Sequence, residues 1–288
     1  MPCTFRLMGI VNVTPDSFSD GGSFLRPEDA VEHSLTLVGE GADIVDVGGE
    51  STRPGARPVP AEEELRRVVP VLEGVAARGL RAQVSIDTSK AAVAAAAIAA
   101  GASLVNDVSA MRADPEMAGV VAASGVDCCL MHMLGEPRTM QVEPRYEDVV
   151  DDVRAFLEER LGFAVGAGVA EERIMLDPGI GFGKTLEHNL ALLDRLGELA
   201  SLGRPIVVGT SRKSFIARIL SAAGEPGAPE RDPRRLGGTI ATNVLALERG
   251  AAVFRVHEVG PVREALAVAA ATLGGRWRAN GPERTRTT

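Results

Sequence analysis

The feature that most constrains the fold of this chain is a repeat of a short apolar, β-branched segment followed by an alanine- or leucine-rich helical segment. The repeat occurs about eight times, and it is typical of the βαβ units that build a parallel sheet. The strands are predicted at residues 5–13, 43–48, 83–87, 104–108, 127–133, 173–177, 205–211 and 253–257. Eight such units predict an α/β fold of the closed (β/α)8 TIM-barrel type.

Helices are predicted between these strands, and glycines follow several of them. The clearest helical segments are residues 61–78, 89–100, 144–167 and 186–200, with a longer insert carrying two helices between the last two strands. Gly101, Gly203 and Gly250 stand where helix C-caps are expected. An open doubly wound sheet shares this alternation, but eight units fill the chain with little left over, which favours the barrel.

The length of the chain predicts one domain. A single α/β barrel needs roughly 250 residues, so residues 1–277 are predicted to form the barrel and residues 278–288 a polar C-terminal tail. Residues 224–233 are rich in proline and glycine and are interpreted as a loop within the insert rather than a linker.

Charge and cysteine content exclude several classes of function. The formal net charge of −8 argues against binding of nucleic acid or a membrane surface, which usually needs a basic face. No apolar run is long enough to span a bilayer and no secretory signal is recognisable, so we expect a cytoplasmic enzyme with small-molecule partners. Cys3, Cys128 and Cys129 lack zinc-site spacing and are expected to be reduced and structural.

Polar residues end nearly all of the predicted strands, although a buried parallel strand is usually apolar throughout. They are Asn12, Asp46, Asp87, Asn106, Asp107, His132, Asp177, Ser211 and Arg255. Any one of them alone is more simply interpreted as a helix cap or a turn residue. The carboxyl ends of barrel strands converge on one face, however, and active sites lie there. The recurrence therefore predicts an active site on that face.

The segment GTSRKSF at 209–215 predicts an anion site. It leads from the seventh strand into a helix N-terminus, where free N–H groups and the helix dipole favour anions, and residues 255–257 add basic groups from the eighth strand. The structural alternative is that Lys213 and Arg255 form ion pairs with Asp87 and Asp177. Both interpretations hold together if the pairs open when substrate arrives.

Two nucleotide-binding patterns are excluded by spacing. In DPGIGFGKT, residues 177–185, three residues separate Gly179 from Gly183 where a P-loop has four, and Lys184 stands where a dinucleotide motif needs glycine. The two long loops at 12–22 and 48–58 are rich in turn formers and hydroxyls, and they are predicted to act as lids that exclude water.

Several motifs, taken together, closely resemble those of the dihydropteroate synthases of the folate pathway. The motifs are MGIVNVTPDSFSDGG, VDVGGESTRPG, SIDTSK, VNDVS, LMHM, LDPGIGFGKT, GTSRKSF and RVHEV, spread from about residue 8 to residue 273. The resemblance implies a barrel transferase that condenses 6-hydroxymethyl-7,8-dihydropterin diphosphate with 4-aminobenzoate. In the implied reaction Mg²⁺ is present, and the products are diphosphate and 7,8-dihydropteroate. It also implies a homodimer formed through later helices and a target of sulfonamides, which mimic aminobenzoate.

The resemblance further implies three groups of binding residues. The pterin pocket is implied at Asp87, Asn106, Val108, Met131, Asp177 and Lys213. The diphosphate site is implied at Asn12, Ser214, Arg255 and His257, and Asn12 also helps to hold Mg²⁺. The aminobenzoate site is implied at Thr52, Arg53, Pro54, Phe182, Lys213 and Ser214.

The chemistry implied by the resemblance is an SN1-like step, in which diphosphate departs before the amine attacks. Positive groups and Mg²⁺ stabilise the leaving diphosphate, while Asp87 and Asp177 stabilise the cationic pterin methylene. Lys213, together with Phe18 and Asp20 from the closing first loop, completes the implied catalytic group.

Two positions depart from the usual family pattern. Ala110 stands where glycine is usual, and Glu258 stands where aspartate is usual. Both are expected to be tolerated, although Glu258 can reshape the loop after the eighth strand.

Three other functions stay open on the residues alone. A methyltetrahydrofolate:corrinoid methyltransferase uses a similar barrel but has no evident use for the SRKSF and STRPG segments. A non-catalytic pterin-binding protein is disfavoured by the intact Phe18, Asp20, Thr52 and Arg53. A Schiff-base aldolase needs a lysine of lowered pKa, which we do not expect for Lys213 among its hydroxyl and arginine neighbours.

Overall fold

Eight parallel strands close into a barrel in the computed structural model, which describes residues 5–14, 26–53, 55–222 and 234–274. The strands are β1 (Arg6–Asn12), β2 (Ile44–Gly48), β3 (Gln83–Asp87), β4 (Leu104–Asp107), β5 (Asp127–Met131), β6 (Ile174–Asp177), β7 (Ile206–Val208) and β8 (Ala251–Val256). Each strand pairs in parallel with its neighbours in the chain, and β8 pairs with β1. The TIM-barrel prediction is confirmed.

Ten α-helices among the described residues surround the strands, with a short 3-10 turn at Glu171–Arg173. They are α1 (Pro27–Gly39), α2 (Ala61–Ala77), α3 (Ala91–Ala99), α4 (Met117–Ser124), α5 (Val149–Gly166), α6 (Leu186–Asp194), α7 (Leu196–Ala200), α8 (Ser214–Ala222), α9 (Arg234–Glu248) and α10 (Val259–Gly274). In the part of the chain that the structure describes, no helix combines the length and apolar character needed to cross a membrane.

Two predicted helices differ from the observed ones for local reasons. The helix predicted at 144–167 begins only at Val149, because the Asp148 carboxylate accepts hydrogen bonds from the backbone N–H groups of Val150 and Asp151 and caps it there. The helix predicted at 186–200 is divided at Arg195 into α6 and α7. The predicted loop at 224–233 and the predicted tail at 278–288 lie outside the described residues.

The barrel interior is apolar in one layer and polar in the next. The apolar layer is formed by Met8, Ile44, Leu104, Cys129, Met175, Val207 and Val253. Side chains alternate between the two faces of a strand, so the residues two positions later point inward again, one layer nearer the carboxyl ends. Those residues include Asp46, Asn106, Met131, Asp177 and Arg255. Strand periodicity therefore brings these five side chains together.

The two described cysteines, Cys128 and Cys129, are buried and unbonded on opposite faces of β5. Burial raises the pKa of the Cys128 thiol to about 12. Such thiols are unreactive at neutral pH, as expected for a structural role.

The loop between β6 and α6 passes against the backbone that follows β5. At Gly179, φ is +65°, and a Cβ atom there would lie 1.9 Å from the carbonyl oxygen of His132. No side chain fits at that distance, so only glycine allows the loop to approach β5 this closely.

The Gly179→Ala substitution is expected to lower the free energy of unfolding by about 2 kcal/mol or more, because the loop must move away from His132. Urea denaturation measures the loss. Gly203→Ala is a matched control, since its φ is also positive at +74° but no atom lies within 4 Å of the added Cβ. Its expected loss is the backbone cost of about 1 kcal/mol. Equal losses in both variants would contradict the importance of the close approach.

Candidate active site

Arg255 is the centre of a buried polar network at the carboxyl end of the barrel. Its Nε donates to Oδ2 of Asp46, and its Nη2 donates to Oδ2 of Asp87, both at 2.7 Å. Asp46 also accepts hydrogen bonds from Ser85 Oγ at 2.6 Å and from Asn106 Nδ2 at 3.0 Å. The network fixes the positions of Arg255 and Asn106, because each bond limits the rotamers of both partners.

Asp46 is a site residue to which the sequence interpretation gave no role. It was visible as one of the polar strand ends, but its partner Arg255 is 209 positions away in the chain. The ion pair predicted between Arg255 and Asp87 is present, and Asp46 forms a second one with the same guanidinium.

Burial changes the protonation of the two carboxyl groups of the pocket. It raises the pKa of Asp87 to about 7, although the positive charge of Arg255 partly offsets the effect. Burial also raises the pKa of Asp177, against the opposing effect of Lys213 and of a 2.6 Å hydrogen bond from the Gly179 N–H. Carboxyl groups tuned in this way can meet both donors and acceptors on the edge of a heterocycle.

Lys213 lies just before α8 and points toward the β6–α6 loop. Its ammonium donates to the Ile180 carbonyl oxygen and lies 4.5 Å from the centroid of the Phe182 ring. Burial lowers the pKa of Lys213 to about 8, with Asp177 opposing the shift. The expectation that its polar neighbours prevent a lowered pKa is therefore wrong, because desolvation outweighs them.

An apolar cluster faces this polar group. It consists of Val108, Met131, Met133 and Met140, with Phe182 packed against it. Val108, Met131 and Phe182 were implied by the resemblance, whereas Met133 and Met140 were missed. Met133 had a signal, since it follows Met131 at the strand period in the LMHM motif. An apolar wall beside convergent polar groups suits a flat heterocycle.

The residues expected at the diphosphate site lie at the ends of two strands, β1 and β8, and at the start of α8. Asn12 ends β1, and Ser214 is the first residue of α8. His257 follows β8, and its Nδ1 lies 2.9 Å from Ser211 Oγ. Burial and the nearby arginines, Arg212 first among them, lower the pKa of His257 well below its usual value. His257 is therefore neutral at pH 7 and can serve an anion only as a hydrogen-bond donor.

The structure shows the contacts of Glu258 and Ala110, the two residues that depart from the family pattern. Glu258 Oε1 accepts from Arg212 Nε at 2.6 Å, so it ties the loop after β8 to the loop after β7. Ala110 is buried with a φ of +53°, and its carbonyl oxygen accepts from Arg160 Nε at 2.8 Å. This left-handed conformation explains why glycine suits the position, and alanine bears it at a cost of about 1 kcal/mol.

The residues expected at the aminobenzoate site are only partly described. Thr52 is partly buried and Arg53 exposed in the loop between β2 and α2. The positive charge of Arg53 contributes to the lowered pKa of His257. The loop that carries Arg53 is therefore close enough to the predicted diphosphate site to act on it electrostatically. Phe18, Asp20 and Pro54 lie outside the described residues.

The geometry defines a class of protein: a barrel enzyme in which methionines, two buried carboxyl groups and a lysine meet at the carboxyl ends of the strands, beside residues of the type that bind anions. A family model described as "Pterin binding enzyme" matches residues 8–257. The dihydropteroate synthase of Mycobacterium leprae is 48% identical over 280 residues, which are 96% of this chain and 95% of that protein. The chain belongs to the pterin binding enzyme family, and its resemblance to the dihydropteroate synthases is confirmed.

Two solved structures agree with this assignment. A Xanthomonas albilineans dihydropteroate synthase with 4-aminobenzoic acid is 46% identical, has a TM-score of 0.85 and shares 93% coverage of each chain. The dihydropteroate synthase from the same organism in complex with 7,8-dihydropteroate is 43% identical, has a TM-score of 0.81 and covers 93% of this chain and 94% of that chain.

The two titrating groups predict a pH optimum for binding of a dihydropterin that lacks diphosphate. Affinity is expected to rise as Asp87 loses its proton near pH 7 and to fall as Lys213 loses its proton near pH 8. Calorimetric titration from about pH 6 to about pH 9 measures both limbs. Asp87→Asn is expected to remove only the acid limb. A flat profile in the unsubstituted protein would show that neither group titrates against the ligand.

Proposed function

We infer that this chain is a transferase of folate biosynthesis, which condenses 6-hydroxymethyl-7,8-dihydropterin diphosphate with 4-aminobenzoate to give 7,8-dihydropteroate and diphosphate. The observation that carries the inference is the Arg255 network. Arg255 on β8 contacts the carboxylates of Asp46 and Asp87, and two residues later His257 lies against Ser211, which follows β7. The family assignment and the ligands named for the Xanthomonas structures support the same reaction.

The pterin ring is proposed to lie between the methionine cluster and the carboxyl groups. Asp87 and Asp177 accept hydrogen bonds from the N–H groups of the ring, and Asn106 and Lys213 serve its remaining acceptors and donors. The bonds from Asn106 to Asp46 and from Gly179 to Asp177 hold these side chains in place before the substrate arrives, which reduces the ordering cost of binding.

The reaction is proposed to begin with heterolysis of the bond between the pterin methylene carbon and the diphosphate oxygen. The electron pair leaves with diphosphate, whose negative charge Arg255, His257, Asn12 and Ser214 stabilise. Asp87 and Asp177 stabilise the cationic methylene that remains. The amine nitrogen of aminobenzoate then bonds to this carbon and loses a proton, and no covalent bond to the protein is needed.

The 4-aminobenzoate is proposed to bind between the β2–α2 loop and the start of α8. The Phe182 ring and the aliphatic part of Lys213 pack against the aromatic ring. The carboxylate meets Thr52, Arg53 and Ser214, and the N-terminus of α8 favours an anion there. Pro54 and the first-loop residues Phe18 and Asp20 are proposed to complete this site.

Mg²⁺ is proposed to bind at Asn12 together with oxygens of the diphosphate. Among the described residues, no cluster of three or more histidines, cysteines or carboxylates is arranged to hold a metal. The Asn12 Oδ1 and Asp87 Oδ2 atoms flank the side-chain-free Gly48, at 3.7 Å and 3.6 Å from a Cβ built there. The side-chain oxygen of Asn12 is a hard ligand of the kind that Mg²⁺ prefers. Few protein ligands are needed, because Mg²⁺ keeps water and phosphate oxygens as its other ligands. When bound, the ion neutralises charge on the leaving diphosphate.

Purified protein is expected to form 7,8-dihydropteroate from both substrates and Mg²⁺, at a rate that falls when aminobenzoate or Mg²⁺ is omitted. Lys213→Ala and Asp177→Ala are expected to abolish turnover while thermal unfolding stays cooperative, since both side chains face the pocket. Arg78→Ala is the control, because the described side-chain contact of Arg78 is an exposed ion pair with Glu32. Liquid chromatography of the product measures turnover.

Two results of this assay would contradict the proposal in different ways. Tight binding of the dihydropterin without any product would indicate the non-catalytic pterin-binding protein. Turnover at the unsubstituted rate in both pocket variants would show that Lys213 and Asp177 are not at the reacting centre.

A homodimer is proposed to form through α9 and α10. A groove of about 740 Å³ between these helices is lined mainly by apolar side chains. Val268 and Leu273 on its wall are 69% and 47% exposed, and exposed apolar patches of this kind often mark protein interfaces. A second copy of the chain is the occupant that the family resemblance implies. The cytoplasmic location expected from the sequence stays a prediction.

Sedimentation is expected to give twice the mass of the chain for the unsubstituted protein. Val268→Asp places a charge in the groove and is expected to shift the protein toward the monomer. Val142→Asp is the matched control, because Val142 is 76% exposed and lies outside the groove. A dimer that resists Val268→Asp would place the interface elsewhere.

A further inference from the structure

A cluster of three charged side chains lies beside the base of the β2–α2 loop, and none of the roles above uses it. The Lys90 ammonium, just before α3, contacts the carboxylates of Glu50 and Glu64. Its distance to Glu64 Oε2 is 2.5 Å. Glu64 is fully buried on α2, while the side chains of Lys90 and Glu50 are 24% and 21% exposed.

Glu50 links this cluster to both ends of the loop. Its Oε2 meets Lys90, and its Oε1 accepts a hydrogen bond from the Val59 N–H at 3.2 Å. Residues 50 and 59 bracket the loop that carries Thr52 and Arg53, so one side chain closes the loop at its base. Without Glu50, the described contacts provide no bond between these two positions.

The start of the loop is also pressed against α2. Arg67 Nη1 on α2 donates to the Gly49 carbonyl oxygen at 2.8 Å. A Cβ atom at Gly49 would lie 2.9 Å from Glu64 Cγ and 2.8 Å from Val68 Cγ1. Glycine therefore lets the loop backbone contact the buried Glu64, and the cluster lies directly under that contact.

The cluster of Lys90, Glu50 and Glu64 is not the arrangement expected if its role were only to stabilise the fold. It places two carboxylates against one ammonium, and the fully buried Glu64 has an Oε1 atom with no hydrogen-bond partner among the described residues. Apolar side chains of similar volume often stabilise a core as well as or better than buried ion pairs. Glu50 and Glu64 raise the pKa of Lys90 against the opposing effect of burial, so the ammonium stays charged at neutral pH. A role in fixing the position of the β2–α2 loop explains the contacts of Lys90 with Glu50 and Glu64 better than a contribution to stability does.

We propose that Lys90 is a positioning residue, which acts through Glu50 to hold the β2–α2 loop where Thr52 and Arg53 reach 4-aminobenzoate. The proposal rests on the aminobenzoate role of this loop. Glu50 is the link between the buried cluster and the loop, and Glu64 anchors Lys90 from the α2 side. Among the described contacts, Glu50 forms no hydrogen bond with the residues proposed to bind the pterin, so the link to the loop is separate from that site.

Steady-state kinetics of four variants test the proposal, each with the other substrate saturating. Arg53→Ala, Lys90→Met and Glu50→Ala are expected to raise the KM for 4-aminobenzoate by about tenfold or more, because a displaced loop loses aligned contacts. The KM for the dihydropterin diphosphate is expected to stay unchanged in Glu50→Ala, which leaves Arg53 and the Lys90–Glu64 pair in place. Lys90→Arg keeps the charge and is expected to recover part of the loss, which a simple packing role would not predict.

Two features keep the test decisive if Lys90→Met folds poorly. Glu50→Ala leaves the buried Lys90–Glu64 pair intact and removes only the link to the loop. Arg66→Met is the control on α2, because Arg66 is 69% exposed and its described ion pair is with Glu63 at the surface. Hydrogen exchange of the Val59 amide is expected to be faster in Glu50→Ala and unchanged in Arg66→Met.

The outcomes separate this proposal from the function it rests on. An unchanged aminobenzoate KM in Arg53→Ala overturns the proposed aminobenzoate site and the positioning role with it. A raised KM in Arg53→Ala, with an unchanged KM in folded Glu50→Ala, overturns the positioning role alone. Equal rises in both KM values in the cluster variants also overturn it, since that pattern indicates a general loss of structure. The proposal is supported by a selective rise together with faster Val59 exchange.

Discussion

The pairing of β8 with β1 is the constraint on which the rest of the site depends. Arg255 lies two residues beyond the interior Val253 of the last strand, and closure of the barrel brings it next to Asp46 on β2 and Asp87 on β3. The contact of Arg255 with two carboxylates from the first third of the chain can form only when the barrel has closed. The site is therefore a property of the closed barrel, and no smaller group of strands contains it.

The fold and most of the site positions could be predicted because both follow from periodicity. Alternation along a parallel strand fixes which residues face inward, and the carboxyl ends of the strands fix where polar ones meet. Strand ends were less predictable: the seventh strand, predicted at 205–211, ends at Val208. The polar run Thr210 to Lys213 turns there toward α8 and forms backbone bonds within the turn, such as Lys213 N–H to the Thr210 carbonyl oxygen.

What the sequence could not provide was the partner of each charged group. Asp46 and Glu50 are ordinary carboxylates in sequence, and each gains its role from a cation on another element, Arg255 or Lys90. The lowered pKa of Lys213 has the same origin. The hydroxyl and arginine residues next to Lys213 in the sequence suggested a solvated ammonium. In the structure the ammonium lies against the Phe182 ring and is strongly desolvated. Burial depends on distant segments, and local sequence carries little information about it.

The contact of the Arg255 guanidinium with two carboxylates also affects the electrostatics of the proposed reaction. A guanidinium has five N–H donors, and the described contacts with Asp46 and Asp87 use two of them. The remaining donors can meet diphosphate without breaking either ion pair, so substrate adds to the network instead of replacing it. The positive charge of Arg255 opposes the raised pKa of Asp87, and the negative charge of bound diphosphate is expected to reduce this opposing effect and so to raise that pKa further. Once diphosphate departs, the cationic methylene acts in the opposite direction and favours the carboxylate that stabilises it.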